Sequence, residues 1–159
     1  DVYKRQTTNT PTASNPGADE CPGTNDQART TSNHPPTLAD TLVIFGCRYQ
    51  AKDCLYGAEW KQWATTSHAN LTYVVAASRD QPEKVYVQHR IHENGARIWD
   101  ILGPRRGIAY LCGTSGKMPE QVKQSIVDVF VEHGHMNVDQ AVRYLSTLET
   151  ERRWQEECW

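Results

Sequence analysis

Three short runs of apolar residues constrain this chain more than any other feature. Residues 41–46 (TLVIFG), the stretch that follows Asn70 (LTYVVAASR) and residues 107–113 (GIAYLCG) are almost continuous in apolar side chains. They lack the alternation of a strand with one wet face. Runs of this kind suit strands buried on both sides, as in a parallel sheet covered by helices. Helical patterns separate them. Residues 55–65 place Trp60 and Trp63 on neighbouring turns, and residues 85–102 read as one or two helical pieces broken near Asn94 and Gly95. Residues 119–133 form a helix with Pro119 in its first turn, Val122, Ile126, Val129 and Phe130 along one side, and Gly134 as its stop. A last helix over 138–152 carries an apolar stripe of Val138, Ala141, Val142, Leu145 and Leu148, followed by the tail WQEECW. Strands alternating with helices predict an α/β fold: a parallel sheet with flanking crossover helices. Such sheets bind ligands at the carboxyl ends of their strands.

The chain has 159 residues, enough for one compact domain plus a tail. Its hydrophobic share is 38%, and the deficit is concentrated in residues 1–37, which hold almost no aliphatic side chains. Residues 7–37 are rich in Thr, Asn, Pro, Ser and Gly and cannot bury enough apolar surface to offset their ordering entropy. They are expected to be a disordered tail or a long surface insertion, with residues 38–159 as the partial domain. The first six residues, DVYKRQ, differ in character, as an assembly scar would.

Several function classes are disfavoured. A net charge of −2 with a pI near 6.3 gives no basic face for nucleic acid. No stretch approaches the roughly 20 apolar residues of a membrane span, and no apolar core of a signal peptide opens the chain. Five cysteines, an odd number at irregular spacing, point to reduced thiols in a cytosolic protein. Neither His133 with His135 nor Cys47 with Cys54 has the paired spacing of a metal site. No serine sits in a nucleophile elbow.

The residues after each apolar run carry the chemistry. After the second run stand Ser78 and Arg79, then Lys84 and Tyr86. A hydroxyl, a guanidinium, an ammonium and a phenol are the donors a phosphate dianion needs. An NAD site typically offers an acidic residue to the ribose, whereas an Arg accommodates the extra phosphate of NADP. Asp80 lies between Arg79 and Lys84 and would orient them. On composition alone, solvated loop charges explain the set equally well. After the first run, Gly46 permits close approach of the backbone to a ligand and Arg48 can meet a pyrophosphate, although a plain turn with an exposed Arg explains these residues better when taken alone. After the third run, residues 112–116 (CGTSG) lead into a helix whose N-terminus favours anionic or polar ligands. Cys112 by itself reads better as a packed core thiol. A terminal Trp159, preceded by Glu157 and Cys158, suggests an indole stacked on a flat cofactor, with simple core packing as the bland alternative.

Taken together these segments resemble the NADPH-dependent diflavin oxidoreductases, relatives of cytochrome P450 reductase. The matching strings are LVIFGCR (42–48), ASRDQPEKVYVQHR (77–90), YLCGTSGKMP (110–119) and RRWQEECW (152–159), in order. The resemblance implies a ferredoxin-NADP reductase-like nucleotide-binding domain, of which this chain is the C-terminal part. It implies a 2′-phosphate site of Ser78, Arg79, Lys84 and Tyr86, with Gln88 in the same cofactor-binding stretch. Gly46, Cys47 and Arg48 would line the pyrophosphate and ribose, and Cys112 and Gly113 the nicotinamide. Trp159 would cover the flavin of FAD, and Glu157 would assist there. The cofactors implied are NADPH, FAD and, in an absent domain, FMN. The partners implied are the FAD and FMN domains of a parent chain and, for the cytosolic member that SRDQ and KVYVQHR resemble most, an iron–sulfur assembly protein as electron acceptor. P450 reductase and the sulfite reductase flavoprotein are the alternative parents. A non-catalytic nucleotide-binding module is the alternative class, and it would have no need of Trp159.

This sequence departs from the family in one respect that matters for folding. The domain's first strand and its glycine-rich pyrophosphate loop are not found, since CPGTN at 21–25 follows no apolar run. They are expected upstream, leaving an edge of the sheet without its partner. Lys117 is displaced by one position from the family's usual basic residue. As an isolated chain the fragment is expected to show no turnover.

Overall fold

The structure is a computed structural model that describes residues 39–66 and 70–159. The expectations for residues 1–37 lie outside the described residues. Among the described residues, four strands and six helices follow in the order β1 (Thr41–Cys47), α1 (Gln50–Asp53), α2 (Gly57–Thr65), β2 (Leu71–Ala77), α3 (Val87–Glu93), α4 (Gly95–Leu102), β3 (Ala109–Gly113), α5 (Lys117–Glu132), α6 (Val138–Thr150) and β4 (Trp154–Cys158). The break between α3 and α4 falls at Asn94, where the backbone leaves helical geometry (φ −107°, ψ 16°). Asn137 caps α6 reciprocally with Gln140, each side chain taking the other's backbone N–H.

The strands pair in parallel, β1 with β2 from Thr41↔Leu71 to Cys47↔Ala77, and β3 with β4 from Ala109↔Trp154 to Gly113↔Cys158. Side-chain alternation places the helices. Leu42 and Ile44 of β1 and Ala109 and Leu111 of β3 pack against one helical core built on Ile91, Ile98, Leu102, Ile126, Phe130 and Leu148. The opposite face of β1 and β2 holds Tyr73, whose ring stacks on Trp60 of α2 (centroids 5.7 Å apart, 12° between planes). So α2 covers one face of the sheet and α3 to α6 cover the other.

That division fixes the strand order. A right-handed crossover through α2 carries the chain from β1 to β2 in one direction, and those on the opposite face, through α3 and α4 from β2 to β3 and through α5 and α6 from β3 to β4, carry it in the other. The order is therefore β2-β1, a gap, then β3-β4. Among the described residues no strand joins β1 to β3. Besides the outer edges on β2 and β4, unpaired backbone therefore lies at the centre of the arrangement, on β1 and β3.

Three expectations need correction. The third run is not buried on both faces, because Tyr110 is 69% exposed and Cys112 is exposed beside it. The stripe of α6 is narrower than its sequence suggests: Ala141, Leu145 and Leu148 are buried, but Val138 and Val142 face solvent. The tail WQEECW is a fourth strand, whose pairing with β3 depends on a segment distant in sequence and so leaves no local signal.

Candidate functional site

Both groups of expected site residues lie at the carboxyl ends of the strands, where an open parallel sheet receives its ligand. The first group is held by continued pairing of β1 and β2 beyond their ends. The Ser78 N–H donates to the Cys47 carbonyl and the Arg79 N–H to the Arg48 carbonyl, each at 2.9 Å. The Ser78 hydroxyl also reaches the Cys47 carbonyl, at 3.2 Å. These bonds set Arg48 and Arg79, both exposed, side by side on neighbouring loops. Two exposed arginines are thus brought to the same end of the sheet, where a phosphate-bearing ligand would meet them.

The loop that follows is braced from within. Gln81 Nε2 donates to the Ala77 carbonyl at 2.8 Å and to the Glu83 carbonyl at 2.9 Å. Lys84 is exposed on this loop, and Tyr86 is exposed at the start of α3, its ring stacked on His89 at 6.0 Å. The Tyr86 N–H donates to His89 Nδ1, which fixes the imidazole as an acceptor at that nitrogen. Gln88 Nε2 donates to Gln121 Oε1 of α5 at 3.1 Å, and its Oε1 is buried without a partner among the described residues. Gly46 is glycine for a packing reason as well, since a Cβ there would stand 2.9 Å from Val87 Cγ1.

Asp80 does not do what its neighbours in sequence suggest. Its Oδ2 accepts the backbone N–H of Gln50, the first residue of α1, at 3.0 Å. Among the described residues no ion pair joins it to Arg79 or Lys84. Sequence reasoning missed this bond because it spans 30 residues.

The second group is built by β3 and β4. Cys112 and Glu157 are register partners, and the pairing runs past the strand ends. The Trp159 N–H donates to the Gly113 carbonyl at 3.1 Å, and the Ser115 N–H donates to the Trp159 carbonyl at 2.7 Å. Gly113 has φ +154° and a Cβ on it would meet Met118 Cε at 2.7 Å, so this turn requires glycine. The Trp159 backbone is thus fastened to the turn while its side chain is 72% exposed, which rules out core packing of the indole. Cys112 is exposed as well and is no core thiol. Lys117 is exposed at the start of α5. Among the described residues no group of three or more His, Cys, Asp or Glu side chains could hold a metal ion. No helix among them is long and apolar enough to cross a membrane.

The profile of the oxidoreductase NAD-binding domain family matches residues 27–124, more than half of the chain. The chain belongs to that family. Within this NAD-binding domain family the similarity runs to the diflavin reductases, as the motifs imply. NADPH-dependent diflavin oxidoreductase 1 of Xenopus laevis is 38% identical over 117 residues, covering 74% of this chain and 19% of the relative. The NADPH–cytochrome P450 reductase of Musca domestica is 34% identical over 122 residues, covering 77% of this chain and 18% of the relative. The diflavin oxidoreductase 1 of Mycosarcoma maydis is 37% identical over 131 residues, covering 80% and 20% respectively. The chain spans about a fifth of the length of the curated relatives it matches. As an NAD-binding domain it has its strand ends where such a domain receives a dinucleotide, and its two groups of exposed side chains flank the central gap.

Proposed function

We propose that this chain is the C-terminal NADPH-binding part of a cytosolic diflavin reductase that passes electrons from NADPH through FAD and FMN to a protein acceptor in iron–sulfur protein assembly. The observation that carries the reading is the clasp between the ends of β1 and β2, which sets Arg48 and Arg79 on adjacent loops with Lys84 and Tyr86 beyond them. The Arg79 guanidinium with an ammonium, a hydroxyl and a phenol suits the 2′-phosphate that separates NADP from NAD, and Arg48 on the adjacent loop suits the pyrophosphate.

The hydride and electron chemistry is supplied by the dinucleotide and the flavins when they are bound. The residues of this chain bind and position. Ser78, Arg79, Lys84 and Tyr86 hold the 2′-phosphate, while Gly46, Cys47 and Arg48 line the ribose and pyrophosphate. Cys112 and Gly113 border the nicotinamide end. The Trp159 indole, exposed but fastened through its backbone, offers a flat surface for a flavin ring, with Glu157 on the same strand. The FAD and FMN domains of the parent chain complete the path, so the chain alone shows no turnover.

Titration of the chain with 2′-phospho-AMP and with AMP, followed by amide shifts in NMR, tests the reading. A selective response at Ser78, Arg79, Lys84 and Tyr86 supports it. A dispersed spectrum with no preference between the two ligands overturns it. In the full-length parent, Arg79→Ala should weaken NADPH about 10- to 100-fold, the size of one lost charge-assisted pair, and leave NADH nearly unchanged. Equal loss for both nucleotides would remove Arg79 from the phosphate site.

A further inference from the structure

We infer that Asp80 is a positioning residue for nucleotide preference: it fastens the two arginine-bearing loops together and, in doing so, keeps its own carboxylate away from the ribose. This inference rests on the phosphate reading of the Arg48 and Arg79 loops given above.

Among the described residues four hydrogen bonds cross between the loops after β1 and β2. Two are backbone bonds, Ser78 N–H to Cys47 and Arg79 N–H to Arg48. A third runs from the Ser78 hydroxyl to the same Cys47 carbonyl, right at the strand ends. The fourth is the bond from the Gln50 N–H to Asp80 Oδ2 at 3.0 Å, and it lies farthest from the strands. It is the only one of the four in which a side chain ties the loops beyond Arg48 and Arg79. Arg48 and Arg79 therefore sit between the end of the sheet and the Asp80 bond, and each is flanked on both sides by a cross-loop contact. The other hydrogen bonds of residues 49–53 among the described residues are local, such as the Tyr49 N–H to Asp53 Oδ2.

The same bond solves an electrostatic problem. A carboxylate next to a phosphate site repels the ligand and, if free to turn, is the group an NAD site uses to take the ribose hydroxyls. Directed at the Gln50 N–H, the Asp80 carboxylate has its charge partly satisfied by a backbone donor at the first turn of α1. The acidic residue of an NAD site is present in the sequence, but it is spent on the protein's own backbone.

Two opposite outcomes separate position from charge. If Asp80 acted only through its charge, removing it would tighten 2′-phospho-AMP. If it acts by holding the loops, removing it weakens 2′-phospho-AMP in spite of the lost repulsion. The experiment uses the chain and its Asp80→Ala, Asp80→Asn and Gln50→Pro variants, each titrated with 2′-phospho-AMP and AMP by calorimetry, with NMR dispersion checked in each. Gln50→Pro removes the donor while keeping Asp80: Gln50 is the first residue of α1, where proline is favoured, and Tyr49 before it is already extended (φ −126°, ψ 122°).

Asp80→Ala and Gln50→Pro should each lower the preference for 2′-phospho-AMP over AMP about tenfold, the scale of one hydrogen bond to a charged group. Asp80→Asn keeps an oxygen acceptor and should stay within about threefold of the parent chain. Gln50→Pro decides the matter where Asp80→Ala loses its dispersion. Binding in either variant as tight as or tighter than in the parent chain, with the parent's preference intact, overturns the inference while leaving the phosphate site standing. No preference in the parent chain overturns the phosphate reading itself, and this inference with it.

Discussion

Single side chains far from the ligand end decide how the first strand enters the fold. Asp40, just ahead of β1, accepts from Arg97 of α4 and, at 2.7 Å, from Arg105, while Arg97 also donates to the Thr72 hydroxyl of β2. The Arg97 guanidinium, followed by that of Arg105, holds the Asp40 carboxyl below the usual carboxylate range. The folded state therefore releases this proton at a lower pH than the unfolded chain does, and its contribution is complete above the unfolded value, near pH 4. That contribution is lost as pH falls through the lower folded value. Asp40→Asn should destabilise the protein by about 1 kcal/mol at pH 7, a discounted figure because both arginines are partly exposed. The difference from the parent chain should shrink below pH 4 in urea titrations run across that range; a constant difference would mean that the pairing has no part in it. The same scale shows what the sequence conceals. Arg79 and Trp159 could be marked as candidates from residue type and place, and the structure leaves both side chains exposed at strand ends. Asp80 could not, since its neighbours Arg79 and Lys84 are better partners on paper than a backbone N–H 30 residues away.

At the scale of elements, the helices were legible where one face meets the core and misleading where it meets water. Helix α5 was readable because Val122, Ile126, Val129 and Phe130 recur at helical spacing and all four are buried. Helix α6 offers five apolar positions, of which three are buried, so periodicity alone overstates the stripe. Leu148 is fully buried against the core, whereas Val142 is 49% exposed. Leu148→Ala should cost about 2–5 kcal/mol by transfer and cavity effects. Val142→Ala should stay within about 0.5 kcal/mol of the parent, as at other exposed positions. Chemical denaturation of the two variants checks both numbers, and similar losses for the two would restore the wider stripe. Strand β4 shows the reverse failure. Beyond the buried Trp154, its Gln155, Glu156 and Glu157 carry little strand propensity, and the strand is held by its pairing with β3 and the tie of Glu156 to Lys123 of α5 at 2.6 Å.

At the scale of the whole molecule, the described residues form two half-sheets with α2 on one face and α3 to α6 on the other, and the centre between the half-sheets governs how the two groups of site residues meet. In a parallel pair, alternate residues of a strand direct both backbone groups to the same neighbour. The bonds Thr41 N–H to Asn70 and Ser78 N–H to Cys47 commit Thr41, Val43, Phe45 and Cys47 to β2. Leu42, Ile44 and Gly46 must then direct their groups to the central gap. The bonds Ala109 N–H to Arg153 and Trp159 N–H to Gly113 commit Ala109, Leu111 and Gly113 to β4, leaving Tyr110 and Cys112 for the gap. The sequence shows that these strands are apolar and parallel but not that their unpaired sides face each other, because that follows only from α2 covering the face opposite α5 and α6. The consequence is measurable by hydrogen exchange. Amides of Leu42, Ile44, Gly46, Tyr110 and Cys112 should exchange at least about tenfold faster than those of Val43, Phe45, Cys47, Leu111 and Gly113, which have partners in the described strands. Equal protection of the two sets would mean that a further strand, from outside the described residues, fills the gap in this chain. The loop leaving such a strand would stand between Arg48 and the Gly113 turn, where a dinucleotide spanning both groups of residues places its pyrophosphate. An unfilled gap would leave the two halves of the site without that loop, and 2′-phospho-AMP, which contacts only the first half, would bind the chain better relative to NADPH than it binds a longer protein.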